Sequence, residues 1–382
     1  MKTTVLHTIS TNTRRIYPMY GIMEKAKYLP IGLLVFCLIG LTAPAANAQD
    51  VGSGGGSLGE SGERTGTAGA TELLVPLTAR STALGSATAS GMMGMGGLEA
   101  LYSNPAGLAL NSGTEAMFSR LEYVAGIGVN YLGIAQAISP SSSIALTIAS
   151  WDFGDDLFKQ TEIAPEISRV TFDASYVTAA FTYAKQLTDR ISAGTTIKVI
   201  SESIDDVSAS TFAFDAGMTY VIGESGLRFG VALKNVGTEL QYSGNGLIRQ
   251  AHVGDQEPTA NNNALAFEAE GVQLPTLLNF GAAYTRNLGA ASVITFLGNF
   301  RSNSFDQDQY SLALEYGFQD LFYLRGGYQA TEDLDKTMYT GLSYGAGLQF
   351  DLGGTSLKID YAIVPVDFFS DDLQYFTVTI GL

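Results

Sequence analysis

The chain has 382 residues, of which only 15% are charged, with 44 Gly, 19 Tyr, 20 Phe and a formal net charge of −16. Ordinary globular proteins carry about 25% charged residues, and so acidic a chain repels nucleic-acid phosphates rather than binding them. One Cys and two His leave a metal or triad enzyme starved of its usual ligands, and the composition points to an extracytoplasmic β-protein rich in Gly and aromatics.

The N-terminus supports that compartment. Met23-Glu24-Lys25-Ala26-Lys27 is a basic stretch, residues 31–41 are an apolar run, and Ala46-Asn47-Ala48 forms a cleavage site. This order predicts a signal peptide over 1–48, with 1–22 an upstream extension and Met23 the start. Cys37 lies in the apolar run, so the processed chain has no cysteine and forms no disulfide. Processing removes five basic residues and one acidic residue, leaving 16 against 36. No later apolar run approaches the length of a membrane helix. A membrane location therefore requires a closed barrel, where every backbone group is paired without water.

Residues 49–72 are rich in Gly, Ser and Thr and read as a flexible tether. Residues 73–112 form the next unit, a plug by the resemblance that its motif carries. Small residues recur there (Ala83, Gly85, Ala87, Ala89, Gly91) and let backbone approach a barrel wall. Met92, Met93 and Met95 offer flexible apolar surface, either lining a path for a hydrophobic ligand or filling space in a plugged barrel. Asn104-Pro105 predicts a capped turn or short helix through Ala106, Gly107 and Leu108.

Residues 113–382 alternate apolar and small or polar residues with period two. Phe376, Val378, Ile380 and Leu382 share one face, opposite Tyr375, Thr377, Thr379 and Gly381. Fourteen such segments are predicted, near 115–122, 128–138, 143–152, 170–185, 189–202, 208–221, 226–236, 274–286, 290–301, 309–318, 320–330, 340–351, 355–364 and 373–382. Short connections (139–142, 186–188, 222–225, 287–289, 319, 352–354) alternate with longer ones (153–169, 203–207, 237–273, 302–308, 331–339, 365–372). Tyr183, Tyr220, Tyr284, Tyr316 and Tyr344 fall near strand ends, where interfacial girdles lie. The predicted fold is all-β: a transmembrane, antiparallel, up-and-down β-barrel of about fourteen strands with an N-terminal plug, in the bacterial outer membrane. Its surroundings there would be lipid and lipopolysaccharide.

Charged residues divide between lumen and loops. Lys198, Asp215, Arg228, Lys234, Glu315, Arg325, Lys358 and Asp360 fall on the predicted inner face. They form either a polar pathway or, the favoured reading, a paired network holding the plug, since buried charges must pair. Acidic clusters (Asp152, Asp155, Asp156; Asp205, Asp206; Asp255, Glu257; Asp306, Asp308; Glu332, Asp333, Asp335; Asp371, Asp372) lie in the longer connections without calcium-loop spacing. The processed chain's single His252 sits in the longest loop, away from any strand nucleophile. No catalytic residue, metal or cofactor is predicted.

Glu99-Ala100-Leu101-Tyr102-Ser103-Asn104-Pro105-Ala106-Gly107-Leu108-Ala109, after the Gly- and Met-rich stretch, resembles the plug segment of PorV/PorQ and FadL-like outer-membrane proteins. Leu233-Lys234-Asn235-Val236-Gly237, Leu274-Pro275 and Leu324-Arg325-Gly326-Gly327-Tyr328 are weaker echoes. The resemblance implies a fourteen-stranded barrel with an N-terminal segment in its lumen. The match is nearer PorV/PorQ, which implies a type IX-like secretion role, binding cargo or partner subunits at the cell surface. The alternative is FadL-like uptake of fatty acids or other hydrophobic small molecules.

Overall fold

In a computed structural model, the residues described are 66–92, 94–154, 157–159, 171–251, 263–332 and 334–382. The predicted signal peptide and most of the tether lie outside them, as do Met93, Asp155, Asp156, His252, Asp255, Glu257 and Asp333. Among the described residues, no helix is long and apolar enough to cross a membrane.

The wall begins with β1 (Thr114–Glu122), β2 (Gly128–Ser139), β3 (Ser142–Asp152), β4 (Ala174–Gln186), β5 (Ile191–Ile204), β6 (Val207–Ile222) and β7 (Leu227–Gly237). It continues with β8 (Leu277–Asn287), β9 (Ser292–Asn303), β10 (Gln309–Phe318), β11 (Phe322–Ala330), β12 (Leu342–Asp351), β13 (Ser356–Val364) and β14 (Leu373–Gly381). Each strand pairs antiparallel with its sequence neighbour, and β1 pairs with β14 from Glu115↔Gly381 to Glu122↔Gln374, closing the barrel. All fourteen predicted strands are present.

The period-two pattern turns large apolar side chains outward, among them Leu132, Ile134, Leu146, Phe296, Leu312 and Leu324, each more than half exposed. Soluble monomers rarely expose apolar patches beyond a few hundred Å², whereas lipid requires such a belt. The inner face carries small polar residues whose hydroxyls pair across strands, as in Thr182–Thr196 at 2.8 Å and Ser119–Thr377 at 2.7 Å. Both chain ends of the wall lie at one end of the barrel, together with its tight turns. In one of these, spanning residues 319–321, Gln319 and Asp320 both take left-handed φ (55° and 51°), the primed-turn geometry whose twist follows that of the strands.

The opposite end carries the longer connections, with one correction. Residues 203–207 form no loop: β5 runs to Ile204, β6 starts at Val207, and Asp205 turns the chain with φ 54°. Between β7 and β8, strand segments Ile248–Ala251 and Asn263–Ala266 pair antiparallel.

The lumen is occupied by the chain preceding β1. Three 3-10 turns (Thr71–Leu74, Gly97–Ala100, Pro105–Leu110) and the short helix α1 (Ala79–Ala83) follow one another there. None is long enough to persist alone in water; contact with the wall holds them. Ala79 and Ala83 pack with Leu121, Val129, Ala362 and Tyr375, and Leu98 and Leu108 pack with Tyr131 and Ala145.

Candidate functional site

The wall receives this plug through inward glycines. A Cβ on Gly194 would lie 2.4 Å from the Pro105 carbonyl oxygen, one on Gly230 2.0 Å from that of Ala89, and one on Gly327 2.4 Å from the Gly85 nitrogen. Backbone therefore lies against backbone, a contact that no other residue permits. Asn104 fixes the seat. Its Oδ1 accepts from the Ala106 N–H at 3.0 Å, capping the turn, with Pro105 at the first position. Its Nδ2 donates to the carbonyl of Ala89 (2.7 Å), and to those of Met218 (3.1 Å) and Val231 (3.3 Å) on β6 and β7. The predicted motif is thus a cross-link between plug and wall, with Ala106, Gly107 and Leu108 all buried.

An ion network supplies a second attachment. Arg80 on α1 donates to both carboxylate oxygens of Glu315 at 3.0 and 2.8 Å and to Glu99 at 3.0 Å. Arg325 donates to Glu315 at 2.6 Å and also pairs with Asp360, while Lys358 lies 3.6 Å from Glu99. Three cations face three carboxylates. Burial alone would raise the Glu99 pKa, but Lys358 and Arg80 hold it below the usual carboxylate range. The bidentate geometry is the arrangement in which an arginine pair resists desolvation best.

A β-bulge shapes a third group. Opposite Asp215 on β6 stand two residues of β7, Lys234 and Asn235, and Asn235 takes φ 58°. The bulge turns both side chains inward and buries them. Asn235 N–H donates to Asp215 at 2.8 Å, Lys198 bridges Asp215 and Asn235 at 2.7 Å each, and Lys234 bonds the Tyr102 carbonyl while lying 4.2 Å from that ring's centroid.

Between this group and the plug is a cavity of about 70 Å³, bounded by Glu72, Tyr102, Trp151, Lys198, Asp215 and Lys234 among others. Burial, with the Glu202 carboxylate beside it, pushes the Glu72 carboxyl up to about 8. Trp151 links the cavity to an aromatic cluster at the loop end. It is edge-on to Tyr123 (centroids 5.5 Å) and stacks on Phe153 (6.4 Å), which meets Tyr176 edge-on at 4.8 Å.

Seven of the eight predicted lumen charges belong to two of these groups: Glu315, Arg325, Lys358 and Asp360 to the ion network, and Lys198, Asp215 and Lys234 to the group at the bulge. Arg228 lies apart from both, half-buried near the turn end. Met92 and Met95 are buried with Leu84 and Ala87 against Ala283, Leu297 and Ala313. Arg80, Glu99 and Trp151 were not singled out from sequence. A signal existed: Arg80 and Glu99 are the only charged residues between Leu73 and Gly113, and Trp151 is the chain's only tryptophan. Among the described residues, no group of three or more His, Cys, Asp and Glu is placed to hold a metal ion.

No protein-family model matches the chain, and no curated protein matches it. Among solved structures, the chain is similar to the CymD monoaromatic hydrocarbon channel, at 13% identity and a TM-score of 0.51 over 80% of this chain and 97% of that one. It is also similar to a Pseudomonas aeruginosa FadL homologue (12% identity, TM-score 0.49, covering 80% and 98%). A further similarity is to the Pseudomonas putida toluene transporter TodX (12% identity, TM-score 0.47, covering 78% and 95%). At such identities the likeness is one of fold alone: a closed, antiparallel fourteen-stranded barrel.

Proposed function

We propose that the protein passes hydrophobic small molecules across the bacterial outer membrane. The observation that carries this reading is Trp151, which belongs both to the aromatic cluster at the loop end and to the lining of the cavity beneath. An apolar solute arriving at Tyr123, Phe153 and Tyr176 meets a continuous aromatic surface leading inward. The shared fold with a protein described as a monoaromatic hydrocarbon channel supports the same reading. At about 70 Å³ the cavity is far below the roughly 300–1,000 Å³ of ligand sites. Passage therefore requires the plug to shift, and Arg80, Glu99 and Asn104 are the attachments that resist it.

The secretion role that the PorV/PorQ resemblance implies, through cargo or partner subunits, has no support from the comparisons. The test is accumulation of a labelled aromatic hydrocarbon and a labelled long-chain fatty acid by cells with and without the protein. Protein-dependent accumulation is expected. Unchanged accumulation, with secreted proteins lost when the protein is removed, would restore the secretion reading.

A further inference from the structure

The outer face of β6–β9 carries a groove of about 640 Å³ with an almost wholly apolar lining. Two cross-strand rows of outward residues build it. One is Met218–Val231–Phe280–Phe300, and the next toward the turn end is Tyr220–Phe229–Ala282–Gly298, each following the strand register. Val231, Ala282 and Gly298 are small where their neighbours are aromatic, so the groove runs across the strands over three spacings, about 14 Å. Between the two rows lies the inward row Thr219–Gly230–Gly281–Asn299. The groove floor is there a single layer of backbone, with plug residues Ala89 and Ser90 directly behind Gly230 and Gly281. Asn104 holds the carbonyls of Met218 and Val231, which both line the groove.

We propose that this groove is a binding site for one acyl chain of a membrane phospholipid, an inference that rests on the outer-membrane reading above. Three features select that occupant. The groove is continuous with the lipid-facing belt, and its elongated form suits a chain better than a compact ring. It lies toward the turn end: Tyr220 is two residues from the end of β6 and Phe229 two from the start of β7. That end holds both ends of the wall and belongs on the periplasmic side, where the leaflet is phospholipid. Finally, cations stand where a headgroup phosphate would lie. Arg286 is exposed on the outward face of β8, four residues or about 13 Å beyond Ala282. Arg190, in the turn before β5, adjoins the groove residue Ile191. Within a bilayer no hydrophobic gain drives such binding. Close packing does, because an unfilled groove forfeits dispersion contacts that a fitted chain restores.

The test is lipid retention. The purified barrel is reconstituted into vesicles of palmitoyl-oleoyl phosphatidylethanolamine, extracted into detergent and washed, and its bound lipid is counted by mass spectrometry. About one phospholipid per chain is expected for the wild type, several-fold less for Gly298→Phe, and an intermediate loss for Arg286→Glu. A Cβ at Gly298 meets only Leu312 at 3.6 Å, an ordinary contact, so the phenylalanine fills the groove rather than the wall. Ala282→Leu is the second filling variant should Gly298→Phe not fold. Equal retention by wild type and a folded filled variant, or no lipid on the wild type, would overturn the proposal. So would a free fatty acid or aromatic hydrocarbon in the lipid's place. Fractionation of the same cells separates the two readings. Absence from the outer membrane defeats the proposed function, whereas a membrane barrel without groove-dependent lipid defeats only this inference.

Discussion

The guanidinium of Arg80 meets both carboxylate oxygens of Glu315, at 2.8 and 3.0 Å, across 235 residues of sequence. One partner stands on a five-residue helix inside the lumen, the other on a wall strand. That pair joins the plug to the barrel, and both groups are almost completely shielded from water.

Removing one partner leaves the other charges uncompensated. Arg80→Met should cost about 3–5 kcal/mol, the range for breaking a buried pair from one side. Hydrogen exchange of residues 78–100 is expected to rise while that of the wall strands stays unchanged. Arg80→Lys should recover little, because an ammonium cannot reproduce the two-pronged contact.

Asn104 works as acceptor and donor at once, and two variants separate these roles. Asn104→Ala should lose about 1 kcal/mol for the cap, plus the contacts to Ala89, Met218 and Val231. Asn104→Asp keeps the acceptor for Ala106 but sets a carboxylate against three carbonyls. It is expected to destabilise more than alanine does, as measured by the midpoint of thermal unfolding in detergent. Equal or greater stability of the Asp variant would show that Nδ2 is not a working cross-link.

Glycines at the seat should not tolerate even one methyl group. Gly194→Ala places a Cβ 2.4 Å from the Pro105 oxygen. Overpacking of this kind costs about 1–3 kcal/mol, and the plug should be more protease-sensitive. Gly326→Ala, with nothing within 4 Å of the added carbon, should behave as wild type in both assays.

Glu72 carries a pH dependence of defined sign. Its carboxyl titrates at about 8 in the fold against 4.5 for the unperturbed group, so the folded state binds more protons than the unfolded one between these values. The stabilisation is complete below pH 4.5 and disappears as pH rises through 8. The groups facing it are Glu202, which also accepts from Tyr242, and Tyr176. The stability of wild type relative to Glu72→Gln should therefore fall from pH 5 to pH 9; a flat difference would show that the carboxyl is not held protonated.

The barrel was legible because alternation is a local property. Phe376, Val378 and Ile380 declare an outward face whatever they pack against, and inner-face charges such as Glu315 and Asp360 follow by parity. The attachments of the plug were not legible. Arg80 and Glu99 lie 19 residues apart on a segment without regular period, and their meeting with Glu315 and Lys358 depends on how that segment folds inside the wall. Lys234 and Asn235 could not both be placed inward by a strict alternation, since the bulge opposite Asp215 breaks it. Residues 203–207 read as a loop because Asp205 and Asp206 are polar, yet two residues suffice to turn the chain.

On the proposed function, hydrophobic molecules reach the lumen past Trp151, the chain's only tryptophan. Its fluorescence in the purified barrel, titrated with bromobenzene as a heavy-atom quencher, is the measurement that decides. Saturable quenching is expected, with half-saturation at lower concentration in Arg80→Met, where the plug is released more easily. Linear, unsaturable quenching equal to that of a tryptophan octyl ester in the same micelles would contradict it.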